Sequence, residues 1–204
     1  MIYEYSDNDD FILTTDEQII IVDWVKKYYK YFMYNGESKY FQKLKYFNNA
    51  PQCIWDIKNR ILDKENLYGF EEEPCFRDSI GIMFEGGQLH LHTDPNPTNS
   101  DLIHTRYNVY VQLPEKGGYP IYNNIHCRLK ERTYICCRSG IDLHCCAKVE
   151  GNKERIVISF GFLLPMSRIE NIYYNYPSGS SSTDTIGQTA VAEHEKTEFP
   201  ISSE

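Results

Sequence analysis

The residues best suited to chemistry fall in Leu89-His90-Leu91-His92-Thr93-Asp94-Pro95-Asn96. Alternate side chains of an extended chain share a face, so His92 and Asp94 point together and Thr93 points away. One imidazole and one carboxylate on one face need a third protein ligand to hold a first-row divalent ion with coordination positions left open. Four further histidines precede the C-terminal stretch. His90 shares the face of His92, two positions back, and reads as pocket lining or packing. His104 falls in the polar loop after Asp94, and His126 in a turn-rich stretch. His144 opens a strand-like segment over 143–149. His-x-Asp is common by chance, so the pair needs support from elsewhere in the chain.

Some of that support comes from Arg155-Ile156-Val157-Ile158-Ser159-Phe160-Gly161-Phe162-Leu163. Period-2 reading places Arg155, Val157, Ser159 and Gly161 on one face and Ile156, Ile158, Phe160 and Phe162 on the other. An arginine in such a strand either meets an anion, for which its planar fork suits a carboxylate, or sits at a wet edge. From this strand alone the wet edge is the simpler account. Arg106, Asn108, Tyr110 and Gln112 share a face of their own strand in the same way.

The elements that must position these residues divide in two. The first part is helical. The spacing predicts a helix over 15–34, with Thr15 and Gln18 as a capping box and Ile21, Trp24, Val25, Tyr28 and Phe32 as its buried stripe. A second helix is expected over 38–47, carrying Tyr40, Phe41, Leu44 and Phe47. A third starts at Pro51, with Ile54, Ile57, Ile61 and Leu62 inward. The acidic run Glu71-Glu72-Glu73-Pro74 reads as a solvated loop. From residue 78 short apolar and alternating segments are broken by turn signals. Strands are expected over 79–84, 88–93, 106–113, 119–123, 133–137, 143–149 and 155–164. The predicted class is α+β, with a β sandwich or small barrel carried by N-terminal helices. Residues 1–77 form the helical support, 78–173 the β core and 174–204 a flexible low-complexity tail that contains His194.

Composition narrows the function classes. The 204 residues suit one domain with an appended tail, and 17 Tyr and 10 Phe supply a core. A net charge of −8 argues against a general nucleic-acid binder. The N-terminus lacks the order of a signal peptide and no apolar run approaches a membrane span, so a cytoplasmic protein is expected. Seven cysteines, an odd number, then read as reduced thiols. The vicinal pairs Cys136-Cys137 and Cys145-Cys146 face opposite ways in a strand and are poorly placed to grip one zinc ion with His126 and Cys127.

The order His92-x-Asp94, then His144, then Arg155 eleven residues later resembles the 2-oxoglutarate/Fe(II)-dependent dioxygenases, in particular their prolyl-hydroxylase-like branch. Arg106 to Leu113 followed by Gly117-Gly118, and the turn Glu150-Gly151-Asn152-Lys153-Glu154 before Arg155, add to the resemblance, which covers about residues 79–165. It implies a double-stranded β-helix, a jelly-roll (cupin-like) core with helices on one side. It also implies Fe(II) held by His92, Asp94 and His144, and Arg155 on the distal carboxylate of 2-oxoglutarate. Asn108, Tyr110 and Ser159 become candidates to contact that cosubstrate. The chain departs from the branch in carrying Phe84 where a tyrosine is often found upstream of His-x-Asp. Arg155 stands where many collagen-type members have lysine, with Lys153 as a rival in the turn. Alkylation-repair demethylases of the superfamily have a second arginine where this chain has Gly161, which weighs against nucleic acid as substrate.

The resemblance therefore implies a hydroxylase consuming 2-oxoglutarate and O2 and releasing succinate and CO2, with ascorbate as an accessory reductant. A peptide or protein side chain is the expected substrate, prolyl first. The alternatives are a small-molecule or nucleoside hydroxylase on the same scaffold, or a catalytically silent metal-binding jelly-roll module. Substrate identity and oligomeric state lie outside what the sequence gives.

Overall fold

A computed structural model describes the backbone of residues 2–4 and the whole of residues 11–36, 38–98 and 100–170. The predicted tail and His194 lie outside the described residues. In chain order the elements are β1 (Ile2–Glu4), α1 (Thr15–Tyr28), β2 (Met33–Tyr34), β3 (Lys39–Lys43), α2 (Gln52–Glu65), β4 (Glu71–Glu72) and β5 (Asp78–Met83). They continue as β6 (Leu89–His92), β7 (Leu102–Gln112), β8 (Lys116–Gly117), β9 (Pro120–Tyr122), β10 (Ile125–Arg128) and β11 (Thr133–Cys137). The last are β12 (His144–Cys146), β13 (Val149–Glu150), β14 (Arg155–Pro165) and the short α3 (Met166–Ile169).

Two main sheets and a two-stranded β8-β13 ribbon result among the described residues, antiparallel except where β1 joins β10. The larger runs β11-β7-β14-β5-β3-β2, with β4 also on β14; the smaller runs β1-β10-β9-β12-β6. The period-2 pattern of β14 decides its faces. Ile156, Ile158, Phe160, Phe162 and Leu164 pack with Tyr107, Val109 and Val111 of β7 under the helices, against Ile21, Trp24 and Val25 of α1 and Ile54, Ile57 and Ile61 of α2. Val157 and Tyr110, from the opposite face, meet Tyr122 and Cys127 of the smaller sheet. The helices thus cover one face of the larger sheet, and its other face closes against the smaller one.

Several sequence expectations change. Helix α1 stops at Tyr28 rather than 34. Its cap is Thr14, whose hydroxyl accepts from the Glu17 N–H while Glu17 returns a bond to the Thr14 N–H, so the capping box sits one residue early. The expected helix over 38–47 is strand β3 and a 3-10 turn at Leu44–Tyr46. Tyr40 packs on Tyr29 and Phe84 while its neighbour Phe41 packs on Phe76, the opposite-face division a strand imposes. Helix α2 begins at Gln52 with Pro51 as its cap, and ends on Asn66 in the left-handed region (φ 51°). The stretch 143–149 divides into β12 and β13, and the turn-rich stretch holding His126 is strand β10.

Candidate functional site

His92 ends β6 and His144 begins β12, and the two are directly paired across the strands. Their rings lie 4.2 Å apart between centroids. Asp94 follows two residues after His92, with its N–H donated to the Ser139 carbonyl at 2.7 Å. Nearby Asn96 donates to the Gly140 carbonyl and accepts from the His104 N–H, both at 2.9 Å, which pins the chain just after Asp94.

One ligand atom each of His92, Asp94 and His144 lies within 4.8 Å of the others, and His92 Nε2 is 3.6 Å from Asp94 Oδ1. Adjacent donors on a first-row ion at about 2.1 Å stand about 3 Å apart, so a modest inward closure completes a three-ligand set. Both rings are aimed by the same device. His92 Nδ1 is 2.8 Å from the His90 carbonyl and His144 Nδ1 is 2.9 Å from the Asp142 carbonyl. A carbonyl only accepts, so each Nδ1 carries a proton and each Nε2 is left as the ring atom to meet a metal, that of His92 on loss of the proton it shares with Asp94. Burial, aided by the charge of His92, lowers the His144 pKa and favours its neutral form. The hydrogen bond to Asp94 raises that of His92 against its burial. Burial pushes Asp94 upward, yet the His92 hydrogen bond and the charge of Arg106 outweigh it and hold the carboxyl well below the usual range.

The space between the sheets is a cavity of about 240 Å³. His92, Asp94, Asn108, Tyr110, His144, Arg155 and Ser159 all line it. Arg155 donates Nε–H to the Gly118 carbonyl at 2.8 Å and lies 5.4 Å from the centre of the Tyr110 ring. No carboxylate among the described residues pairs with it. A guanidinium half-buried in a cavity without an anion is a slot for one.

Ser159 stands elsewhere in the cavity, four residues along β14 or about 13 Å from Arg155. Its hydroxyl donates to Asn108 Oδ1 at 2.7 Å and accepts from Arg106 Nη1 at 2.9 Å. Asn108 Nδ2 donates to the Tyr122 hydroxyl at 3.2 Å, Tyr122 is hydrogen-bonded to Tyr110, and Tyr110 to Arg155. A continuous polar line therefore crosses the floor from Arg155 to Arg106. Burial raises the pKa of both tyrosines, so they serve it as neutral hydroxyls.

Three residues of the site carry no functional role in the sequence reading. Arg106 donates Nε–H to Asp94 Oδ2 at 3.3 Å. His104 is not in a loop but on β7, 1% exposed, with Nδ1 3.8 Å from the same oxygen. Glu73, from the run read as solvated, is also 1% exposed and contacts both. Only the shared face of Arg106 and Asn108 hinted at any of this. His90 and His126 are exposed, and all seven cysteines are free.

No protein-family model and no curated protein matches this sequence. Solved structures do match in fold. A viral collagen prolyl hydroxylase from Paramecium bursaria Chlorella virus-1, in complex with 2-oxoglutarate, superposes with TM-score 0.56 at 14% identity, over 76% of this chain and 93% of its own. A prolyl-4-hydroxylase from Pseudomonas putida gives 0.53 at 12%, over 76% and 89%. HygX from Streptomyces hygroscopicus, with nickel and 2-oxoglutarate bound, gives 0.57 at 10%, over 75% and 80%. The chain shares the fold of these three proteins.

Proposed function

We propose that this protein is a 2-oxoglutarate- and Fe(II)-dependent oxygenase built on a double-stranded β-helix, hydroxylating a peptide or protein side chain, prolyl first. One observation carries the reading. The cavity that receives the convergent His92, Asp94 and His144 is the same cavity that presents Arg155 without an anion. The donor set fits Fe(II), with two neutral imidazoles, one carboxylate and room for further ligands. Bound there, Fe(II) with 2-oxoglutarate and O2 supplies the oxidation, in which one oxygen atom enters a substrate C–H bond and the other leaves in succinate as CO2 is released. The chain's own part is binding and orientation. Arg155 holds the distal carboxylate, its fork steadied by Gly118. Tyr110 and Asn108 offer neutral hydrogen bonds along the floor. Ser159 fixes Asn108 and Arg106 rather than reaching the carboxylate that Arg155 binds. Val157, Met83 and Leu89 add apolar wall that keeps water from the site.

A macromolecular substrate is supported by an aromatic shelf at the margin. Tyr34 is 63% exposed and its ring stands 5.1 Å from that of Tyr40, which lines the cavity. The small-molecule alternative draws on the modest cavity volume and on a HygX structure with hygromycin B bound, which shares the fold. The deciding experiment reconstitutes the full chain anaerobically with Fe(II), admits oxygen and measures succinate from 2-oxoglutarate. Peptide and small-molecule panels run in parallel. Succinate above the metal-free control is expected, and its stimulation by proline-containing peptides supports the prolyl reading. Absence of 2-oxoglutarate binding by the metal-loaded protein would defeat the activity.

A further inference from the structure

Glu73 lies outside the cavity lining, yet it is among the most buried charged residues described. A carboxylate so placed is costly unless paired, and its pairs are specific. Oε1 accepts from the N–H groups of Phe76 and Arg77, and Oε2 from that of Cys75 at 3.2 Å. Arg106 Nη2 donates to Oε1 at 3.4 Å, and His104 Nε2 lies 3.4 Å from Oε2 without full hydrogen-bond geometry. These two side chains are also the ones that reach Asp94, and both approach one oxygen of it. Arg106 Nε is 3.3 Å and His104 Nδ1 3.8 Å from Oδ2, whereas Oδ1 faces His92 Nε2 at 3.6 Å. Gly161 keeps the space open, since a β-carbon there would lie 2.5 Å from Glu73 Cγ.

Resting on the metal reading above, we propose that Glu73 is a positioning residue which, through Arg106 and His104, reserves Asp94 Oδ2 and holds Asp94 to single-oxygen ligation through Oδ1. A carboxylate free to turn can grip a divalent ion with both oxygens and take an extra coordination position. A chelating cosubstrate and oxygen together need three positions left by the three protein ligands. Glu73 is anchored by the backbone of the turn that follows it, so Arg106 is held from behind and cannot turn fully onto Asp94. With the Glu73 charge removed, Asp94 becomes the sole carboxylate partner of Arg106 among the described residues, and the guanidinium competes with the metal for it.

The test uses metal-free full-length protein and Co(II), whose visible absorption reports both affinity and coordination number. Wild type, Glu73→Gln, His104→Gln and Arg106→Lys are titrated, with a thermal melt of each metal-free form. Wild type is expected to bind Co(II). Glu73→Gln and His104→Gln are expected to bind 10- to 100-fold more weakly, the usual effect of removing a group that orients a ligand, and to shift the visible bands away from those of wild type. Arg106→Lys, which keeps the charge but not the fork, is expected to recover only part of the affinity. Failure of wild type to bind overturns the metal reading itself. Wild-type binding matched in affinity and spectrum by folded Glu73→Gln and His104→Gln overturns the role of Glu73 alone. Should Glu73→Gln not fold, a crystal structure of wild type loaded with Mn(II) decides. Oδ1 alone on the metal with Arg106 on Oδ2 is the expected result, and a chelating Asp94 overturns it.

Discussion

Arg155 separates metal binding from cosubstrate binding in a way that single substitutions can read. Its Nε is committed to the Gly118 carbonyl, but its terminal nitrogens meet Met83 Sδ, at 4.0 Å, and the ring and hydroxyl of Tyr110, with no carboxylate partner among the described residues. A hydrogen bond to a charged partner is worth about 1.5–3 kcal/mol. Arg155→Met should therefore weaken 2-oxoglutarate binding roughly 10- to 100-fold, measured by calorimetry on Co(II)-loaded protein, and leave Co(II) affinity within about twofold. Equal loss of both would show that the arginine supports the metal ligands instead. At this scale the sequence was legible where strand alternation and family order converged: His92, Asp94, His144 and Arg155 all reach one cavity. It was opaque for Glu73. An acidic run is ordinarily solvated, and the burial of one carboxylate in it depends on Arg106 and His104, which come from a strand some thirty residues away in sequence.

Elements explain why those side chains converge. The pairing of β12 with β6 puts His144 opposite His92, and the turn at Gly117 and Gly118 sets the depth of Arg155. Gly118 adopts φ +66°, and a β-carbon there would lie 2.5 Å from Pro114 Cγ and 3.4 Å from Arg155 Cδ. Gly118→Ala should cost about 1–2 kcal/mol from the left-handed backbone alone. It should also weaken 2-oxoglutarate binding by displacing Arg155, with Co(II) affinity unchanged. Denaturant melts and the same calorimetry check both parts. Strand β14 and the later part of β7 were readable from their alternation, whereas 102–105, the start of β7 that carries His104, had read as loop. Strand β3 was not. Tyr40, Phe41, Leu44 and Phe47 fit helical spacing equally well, and a strand half-buried on both faces offers no polar alternation to break the tie. In the smaller sheet β6, β9 and β12 were read, whereas β10, which begins directly after Asn123-Asn124, was hidden by that turn signal.

Across the whole molecule, carboxylates at both ends of α1 tie it to α2 and to the sheets. Glu17 caps the helix and accepts from Arg60 of α2. Glu131 accepts from Gln18 and from the Leu113 N–H at the end of β7, and pairs with Lys153. Glu154 pairs with Lys26 at 3.2 Å and accepts from Gln112 at 3.1 Å. The Arg60 hydrogen bonds lower the pKa of Glu17; for Glu131 and Glu154 burial raises it, but the lysines and N–H donors outweigh that and leave it lowered. A carboxylate with a depressed folded pKa contributes stability that is present above its unfolded pKa of about 4.3 and lost as pH falls through the folded value. Asp78, raised chiefly by burial, acts in the opposite sense and blunts the loss without reversing three groups. Stability should therefore begin to decline below about pH 6.5, where the buried His104 and His144, held neutral in the fold, must charge on unfolding, and should fall steeply below about pH 4.3. Because these ties hold α1 to the sheet, the acid transition should expose Trp24, buried between them, and its fluorescence should shift to the red as helical circular dichroism falls. Glu17→Gln should lower neutral-pH stability by about 1 kcal/mol, a typical capping loss, and make the acid limb shallower, since that variant has one fewer proton to take up. An acid limb of unchanged steepness in Glu17→Gln would place the titrating groups elsewhere.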